Sequence, residues 1–451
     1  MSRWVDLVEP DTIGEAGEHL TAHGQAVTSA LLFGSVDPQG EAPQPYGYVD
    51  HIRVVDSASL RPENIDLYDV LGRVQEVLNA GEYEFVNLSI GPELPVDDRD
   101  VHAWTAVLDE YLASGAAMAA VAAGNNGAAD AESGDTRVLV PSDSVNAVAV
   151  GASDKQTSGW ARAPYSAVGP GRRPGRVKPD VVCFGGSDGQ PFYTVGQDGR
   201  PRTTMGTSFA SPLLLRTAMG IRVAVGPEVP AVAVKAMLIN GAQRDERPIH
   251  EVGWGRVDAG LSAFVECAAH EVSILYYGHL RPAEMVRLPI PWPEESPGGY
   301  VTLTASMCIA CPTCPADAAN YTRAGVSPVF VPHSKRWNRN GTRRATKPFF
   351  TPAQMYPTEW ELRRDAHKWE TVMKNQRRFQ GRTLNDPYFK FHYMAREGGR
   401  RMGRRADTVP YALVVCLRAT AMPDLYDRVF ARYRTRLAPI RPRIELPVRI
   451  T

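Results

Sequence analysis

The sequence predicts an α/β domain built on a parallel sheet, followed by a β-sandwich domain. The first part of the 451-residue chain alternates strand-like apolar runs with helical ones up to about residue 266, which is typical of parallel sheets with crossover helices. From Cys267 onward this alternation stops, and short β-type runs bounded by proline and glycine take its place. A serine delivered to the start of an apolar helix gives the first domain a candidate functional site.

That serine, Ser208, precedes an apolar helical stretch. Unpaired N–H groups and the positive end of the helix dipole stabilise negative charge there, which an attacking serine and its oxyanion require. Gly206 lets a substrate chain approach the backbone, and Pro212 fits a helix start, where its missing N–H costs nothing. An ordinary N-capping serine is the alternative for an isolated Thr-Ser pair. The whole segment reads Gly206-Thr207-Ser208-Phe209-Ala210-Ser211-Pro212.

This segment resembles the nucleophile motif of the subtilisin-like serine proteases, Gly-Thr-Ser-x-Ala-x-Pro. Two further groups follow that family's order along the chain. His23 begins a His-Gly-x-x-Val segment similar to the one that carries the family's general base. Asn125 ends an Ala-Ala-Gly-Asn run similar to the family's oxyanion signature, whose side-chain donor is worth about 3–4 kcal/mol in the transition state. The resemblance therefore implies that Ser208, His23 and Asn125 form the catalytic site.

The resemblance also implies a pocket for the substrate residue that precedes the scissile bond. Two backbone strips would form its walls, and a leucine would form its floor, where a smaller residue would leave more depth. We therefore expect small or medium apolar substrate residues to be favoured there by about 1–3 kcal/mol over large aromatic ones. The assigned residues are Ser89, Ile90, Gly91, Ala122, Ala123 and Gly124 in the walls and Leu139 at the floor.

The similar segments cover residues 1–266 and imply a subtilisin-like three-layer sandwich with a parallel sheet. The family's catalytic aspartate, which ends its first parallel strand, has no clear counterpart here. Asp6 is the nearest candidate, but its surroundings are more similar to the family's second strand. Three explanations are open: truncation of the chain at its N-terminus, an aspartate from another segment or subunit, or a degenerate enzyme. We expect truncation, because every other functional segment is present.

Two function classes follow from this pattern. The first is a serine endopeptidase, and the second is a catalytically impaired, subtilisin-like module that binds peptides and acts through a partner. Only the missing aspartate favours the second. The layout also resembles, more weakly, bacterial subtilisin-like proteases encoded beside AAA-type ATPases in anti-phage defence. That resemblance implies an AAA-type ATPase as partner besides a protein or peptide substrate.

Composition is consistent with this interpretation. The hydrophobic fraction of 43% and the charged fraction of 22% are ordinary for a globular protein. No run of 18 apolar residues and no N-terminal signal pattern is present, so we expect a cytoplasmic protein that does not bind membranes.

The net charge is zero, but acidic and basic side chains are unevenly distributed along the chain. Residues 1–135 hold 24 acidic against 5 basic side chains, a balance of −19, whereas residues 333–405 hold 19 basic against 6 acidic side chains, a balance of +13. Arginine interleaved with aromatic residues is compatible with nucleic-acid binding. We nevertheless expect a solvated face or an internal complement to the acidic domain, and so no nucleic-acid partner.

The second domain, residues 267–451, is expected to be a jelly-roll-like β-sandwich with a basic insert at 333–405. We expect helix in this insert around Thr358–Lys374. Cys308, Cys311 and Cys314 have a spacing seen in metal sites, but no fourth ligand lies nearby in sequence. We therefore expect reduced cysteines in an inter-strand loop, with no metal and no cofactor. The predicted strands are Val272–Tyr277, Met285–Ile290, Tyr300–Thr304, Val329–Val331, Tyr388–Tyr393, Tyr411–Leu417 and Ile444–Ile450.

Overall fold

The structure is a computed structural model that describes residues 1–11, 13–257, 260–350, 369–396 and 408–440. The elements of the first part are β1 (Val5–Val8), α1 (Glu18–Phe33), β2 (Val49–Ile52), α2 (Tyr68–Ala80), β3 (Phe85–Leu88), α3 (Ala103–Leu112), β4 (Met118–Ala122), β5 (Val148–Ser153), β6 (Val181–Phe184), β7 (Phe192–Val195), β8 (Pro201–Thr204), α4 (Thr207–Val225), α5 (Ala231–Gly241), α6 (Ile249–Val252) and α7 (Ser262–Val265).

Strands β3, β4, β5 and β6 form a parallel sheet in that order, with helices on both faces. Alternate residues of β4 point to opposite faces, as the strand period of two requires. Met118 and Ala120 belong to the apolar cluster that contains α4, whereas Ala119 and Val121 belong to the cluster that contains α2 and α3. This arrangement confirms the predicted three-layer α/β architecture. The small alanine side chains let helices pack closely on both sides of the strand.

Two short pairs lie outside this sheet. Strands β1 and β2 are parallel, with Val5 opposite Val49, and β7 and β8 form an antiparallel hairpin. Within the described residues β2 pairs only with β1, and β3 pairs only with β4. Both β2 and β3 therefore present an unpaired edge.

The second part contains β9 (Glu271–Leu280), β10 (Met285–Pro289), β11 (Tyr300–Ile309), β12 (Ala324–Val331), β13 (Val372–Gln380), β14 (Tyr388–Ala395), β15 (Val409–Arg418) and α8 (Leu425–Tyr433). Consecutive strands alternate between two antiparallel sheets, with orders β13-β11-β15-β9 and β10-β14-β12, as in a jelly-roll. Phe330 of one sheet contacts Phe379 of the other, with ring centroids 5.5 Å apart. The predicted sandwich is confirmed.

Six predicted strands lie in observed ones, and the seventh, Ile444–Ile450, lies outside the described residues. Most of the helix expected at Thr358–Lys374 also lies outside them, and its last residues, 372–374, are strand instead. The reason is tertiary: β13 lacks an apolar pattern of its own, but it pairs with β11 along its whole length.

Helix α5 and a buried polar cluster join the two parts. Every residue of α5 from Ala231 to Ile239 is buried, because the helix packs on α4 and also on β11 and β15 of the sandwich. Beside it, the carboxylate of Asp109 accepts hydrogen bonds from Ser144 Oγ at 2.6 Å and from Tyr321 Oη, across the interface, at 2.7 Å. Burial raises the pKa of Asp109. Among the helices that the structure describes, none combines the length and apolar character that crossing a bilayer requires.

Candidate active site

Ser208 is the second residue of α4, and its side chain is half-buried. The helix follows Gly206, whose φ of 149° lies in the region that favours glycine. Gly206 N–H donates to Gly185 O at 2.9 Å, which fixes the loop just before the helix. Ser208 therefore lies in the first turn of α4, directly after a loop that is held in place by this hydrogen bond.

Pro212 does not mark the helix start, because α4 begins five residues before it. A proline at this position has no N–H for the carbonyl of Ser208, its partner one turn earlier. Ser89 Oγ fills this vacancy, donating to Ser208 O at 2.9 Å. Asn87 hydrogen-bonds to Ser89 and also to α4. Its Nδ2 donates to Ser89 Oγ at 3.0 Å, and its Oδ1 accepts from Ser211 Oγ, in α4, at 2.8 Å. The end of β3 is thus tied to the first turn of α4.

Asn125 follows β4, and its amide orientation is fixed by Thr207. The Oδ1 atom of Asn125 accepts from Thr207 N at 2.9 Å and from Thr207 Oγ1 at 3.0 Å. A backbone N–H can only donate, so the atom facing Thr207 is the carbonyl oxygen. Gly124 N–H in turn donates to Thr207 Oγ1 at 3.3 Å. Asn125 is exposed, and within the described residues its Nδ2 group donates no hydrogen bond.

His23 lies in the second turn of α1, which begins at Glu18, so the histidine does not open its helix. Its ring packs against Phe209, the residue after the serine, with centroids 5.9 Å apart. Burial lowers the pKa of His23 below its ordinary value of 6.5. No hydrogen bond joins His23 to Ser208 within the described part of the chain.

Within the described residues no carboxylate forms an ion pair or a hydrogen bond with His23, and burial is the cause of its lowered pKa. Asp6, the nearest candidate in sequence, is exposed on β1 and lies opposite Asp50 in the register of the β1–β2 pair. Another histidine, His51 of β2, contacts α1, the helix that carries His23. Its Nδ1 is 2.6 Å from Thr28 Oγ1. Thr28 Oγ1 also lies 3.0 Å from Gly24 O, so the threonine hydroxyl contacts both the helix backbone and the His51 ring.

Of the residues assigned to the pocket, Ser89 contacts the serine directly, and the others differ in how deeply they are buried. Ala123 is fully buried in the α2–α3 cluster, so it offers only backbone to a pocket, whereas Ile90 packs against the same cluster and is partly buried. Leu139 lies directly on Gly124: a Cβ on this glycine would be 2.6 Å from Leu139 Cγ. The backbone reinforces this contact, as Leu139 N donates to Ala123 O at 2.8 Å. A leucine side chain thus fills space beside the Gly124 wall.

The cysteine segment is part of the sandwich core. The expectation of an inter-strand loop is wrong for Cys308, which lies within β11, and Cys308 and Cys311 are fully buried. Burial raises the pKa of each thiol to about 12. Over the ranges that the structure describes, no group of three or more histidine, cysteine or acidic side chains could hold a metal ion.

Sequence reasoning did not single out Thr207, Asn87 or Ser211 as functional. Thr207 lies inside the recognised motif, so its position was available as a signal. The contact of Asn87 with Ser211 joins positions 124 residues apart, and no local pattern reveals it.

The model of the subtilase family matches residues 5–255 of the chain. Among solved structures, the patellamide maturation protease PatA is 21% identical, with 58% of this chain and 89% of that chain covered and a TM-score of 0.41. The prenylagaramide maturation protease PagA is 19% identical, with 58% of this chain and 85% of that chain covered and a TM-score of 0.41. The epidermin leader peptide processing serine protease EpiP from Staphylococcus aureus is 19% identical, with 54% of this chain and 62% of that chain covered and a TM-score of 0.39. No curated protein matches the chain.

Proposed function

The chain belongs to the subtilase family, and we propose that it is a serine endopeptidase with Ser208 as nucleophile. His23 takes the proton from Ser208 Oγ and returns it to the leaving amine. Asn125 Nδ2 and the Ser208 N–H hold the oxyanion of the tetrahedral intermediate. The observation that carries this proposal is the pairing of Thr207 with Asn125, which orients the amide donor before any substrate binds.

We propose that a further strand supplies the missing carboxylate by entering between β2 and β3. Both strands have unpaired edges, and three of the four residues in each are only partly buried. One contact links the two strands: Asp50 of β2 lies beside Tyr83, two residues before β3, and burial together with this carboxylate raises the pKa of Tyr83. A strand between them would satisfy both rows of backbone groups. Its source is an upstream segment of the chain or a partner subunit.

This carboxylate would orient His23 and stabilise its charged form. Removing the aspartate from such a triad lowers turnover by about 10⁴. The oxyanion donors and the nucleophile do not depend on it, since their contacts join α4 to the segments that follow β3 and β4. We therefore expect weak basal hydrolysis from residues 1–451 alone.

The substrates we propose are proteins or peptides with a small or medium apolar residue before the scissile bond. The support is the position of Leu139 against Gly124, where it takes space that a large aromatic side chain would need. Discrimination by such a filled pocket is worth about 1–3 kcal/mol.

The second candidate is an impaired module that binds peptides without cleaving them. It is favoured by one observation, that among the described residues no carboxylate forms a hydrogen bond or an ion pair with His23, while Asp6 is exposed on β1. In this alternative the pocket still binds an extended peptide, and a partner carries out the response.

We further propose a cytoplasmic role in bacterial defence beside an AAA-type ATPase. The support is the layout of an acidic subtilase domain followed by a sandwich with a basic insert. Affinity purification of the chain with its genomic neighbours tests this role. Recovery of no ATPase from cells that express the whole gene cluster would contradict it.

A fluorogenic peptide with alanine before the cut tests the protease proposal. Turnover is measured for residues 1–451, for a chain extended by any upstream in-frame coding segment, and for each with its partner candidates added. The matched control is Ser208→Ala in every arm. We expect turnover that is lost with Ser208→Ala; if no arm exceeds its control while all bind the peptide, the impaired module is the better account.

A further inference from the structure

The loop after β12 forms a basic hairpin, defined here as residues 333–347. It contains six cationic side chains and no acidic one. The cations are Lys335, Arg336, Arg339, Arg343, Arg344 and Lys347. At its far end Lys347 N–H donates to Phe330 O at 3.0 Å, so the hairpin projects from the edge of the β10-β14-β12 sheet.

The hairpin is ordered by its own hydrogen bonds. Ala345 N donates to Arg336 O at 3.0 Å, and Asn338 N donates to Arg343 O at 2.8 Å. The side chain of Asn338 closes the turn by accepting from Thr342 N at 3.0 Å. The cations are therefore presented on a fixed two-stranded frame, which lowers the entropy that binding would have to overcome.

None of the six cations forms an ion pair within the described residues, whereas other sandwich arginines do. Arg428 pairs with Asp424 at 2.8 Å, and Arg432 pairs with Asp386 at 3.3 Å. Among the described residues, then, no carboxylate neutralises the hairpin in the way that an internal complement to the acidic domain would require. Burial and the charges of Arg336 and Lys335 lower the pKa of His333, consistent with a positive local field.

An exposed aromatic ring lies among these charges. Trp337 is 53% exposed, and it stands opposite Arg344 across the hairpin. The guanidinium of Arg344 lies 4.0 Å from the ring centroid, which covers one face of the indole. A flat ring backed by arginine and surrounded by cations is a stacking platform for an unpaired base.

We propose that the basic hairpin binds single-stranded nucleic acid, with the cations contacting phosphates and Trp337 stacking on a base. This function is separate from the proposed proteolysis. An acidic protein surface is also attracted by cations, but it gives no particular use to an exposed indole. Duplexes are disfavoured as ligands because their bases are already stacked.

Fluorescence anisotropy of the full chain with labelled 16-nucleotide oligo(U) and oligo(dT) tests the proposal at several salt concentrations. We expect binding that weakens as salt rises, through counterion release. Trp337→Ala should weaken binding by about tenfold, Trp337→Phe should retain most of it, and Arg336→Gln with Arg343→Gln should flatten the salt dependence. The comparison of the two oligonucleotides tells RNA from DNA.

The matched control is Arg428→Gln, which removes one equal charge from an ion-paired site of the same domain. It should leave binding unchanged, and thermal unfolding of each variant confirms that it folds. Three results would overturn the proposal: no binding at low salt, equal loss with Arg428→Gln, or charge-dependent binding that Trp337→Ala leaves intact. The last of these, together with displacement by poly-glutamate, would indicate an acidic protein as the partner.

Discussion

The two halves of the candidate active site are held very differently. On the nucleophile side, hydrogen bonds of 2.9–3.3 Å join Ser208 and Thr207 to Ser89, Gly124 and Asn125, in the segments that follow β3 and β4. On the histidine side, His23 packs on Phe209 with no carboxylate partner among the described residues, beside strands with unpaired edges. The difference supports the proposal that the oxyanion donors are in place before substrate binds and that proton transfer needs an added group.

The largest expected effect comes from completing the histidine side. Supplying a strand with a carboxylate next to His23, by extending the chain or by adding a partner, should raise turnover by about 10⁴. The measurement is kcat on a fluorogenic peptide. If replacing the added carboxylate by its amide left this gain unchanged, the strand would be acting otherwise than through His23.

Breaking the nucleophile side should have the next largest effect. Asn125→Ala removes the side-chain oxyanion donor and should lower kcat by about 10²–10³. Thr207→Val keeps the backbone donor to Asn125 but removes the hydroxyl, so we expect a smaller loss of about tenfold. Equal losses for the two variants would show that Thr207 does more than orient the amide.

Specificity is expected to change through Leu139. Leu139→Gly removes the side chain that lies on Gly124 and should raise kcat/KM for large aromatic residues before the cut by about 10–200-fold. Val138→Ala, at the neighbouring buried position, is the matched control and should leave the preference unchanged. A wild-type preference for Phe, Tyr, Arg or Lys at this site would contradict the assignment of Leu139.

The smallest effect concerns pH. A general base must be neutral, and burial lowers the pKa of His23, so the acid limb of kcat/KM should lie below pH 6.5 in the present chain. A carboxylate beside His23 favours its charged form and should move this limb to higher pH. An acid limb above pH 6.5 without the added strand would show that an unrecognised acidic group already acts on His23.

The sequence was most informative where function depends on local geometry. The segment from Gly206 to Ser211 predicted both a helix start and a nucleophile, because the serine and the first N–H groups of α4 are sequence neighbours. The partner of the Ser208 carbonyl could not be predicted, since Ser89 lies 119 residues away. The strand β13 was also missed, because its pairing with β11 rather than its composition makes it extended.

The central claim is that the oxyanion and nucleophile half is assembled without the missing carboxylate. Labelling with a fluorophosphonate, which needs an activated serine and an oxyanion site, tests this most directly when the modified residue is mapped by mass spectrometry. The account predicts slow labelling of residues 1–451 at Ser208, slower still in Asn125→Ala and absent in Ser208→Ala. Labelling that Ser208→Ala leaves unchanged, or no labelling even with the carboxylate supplied, would contradict it.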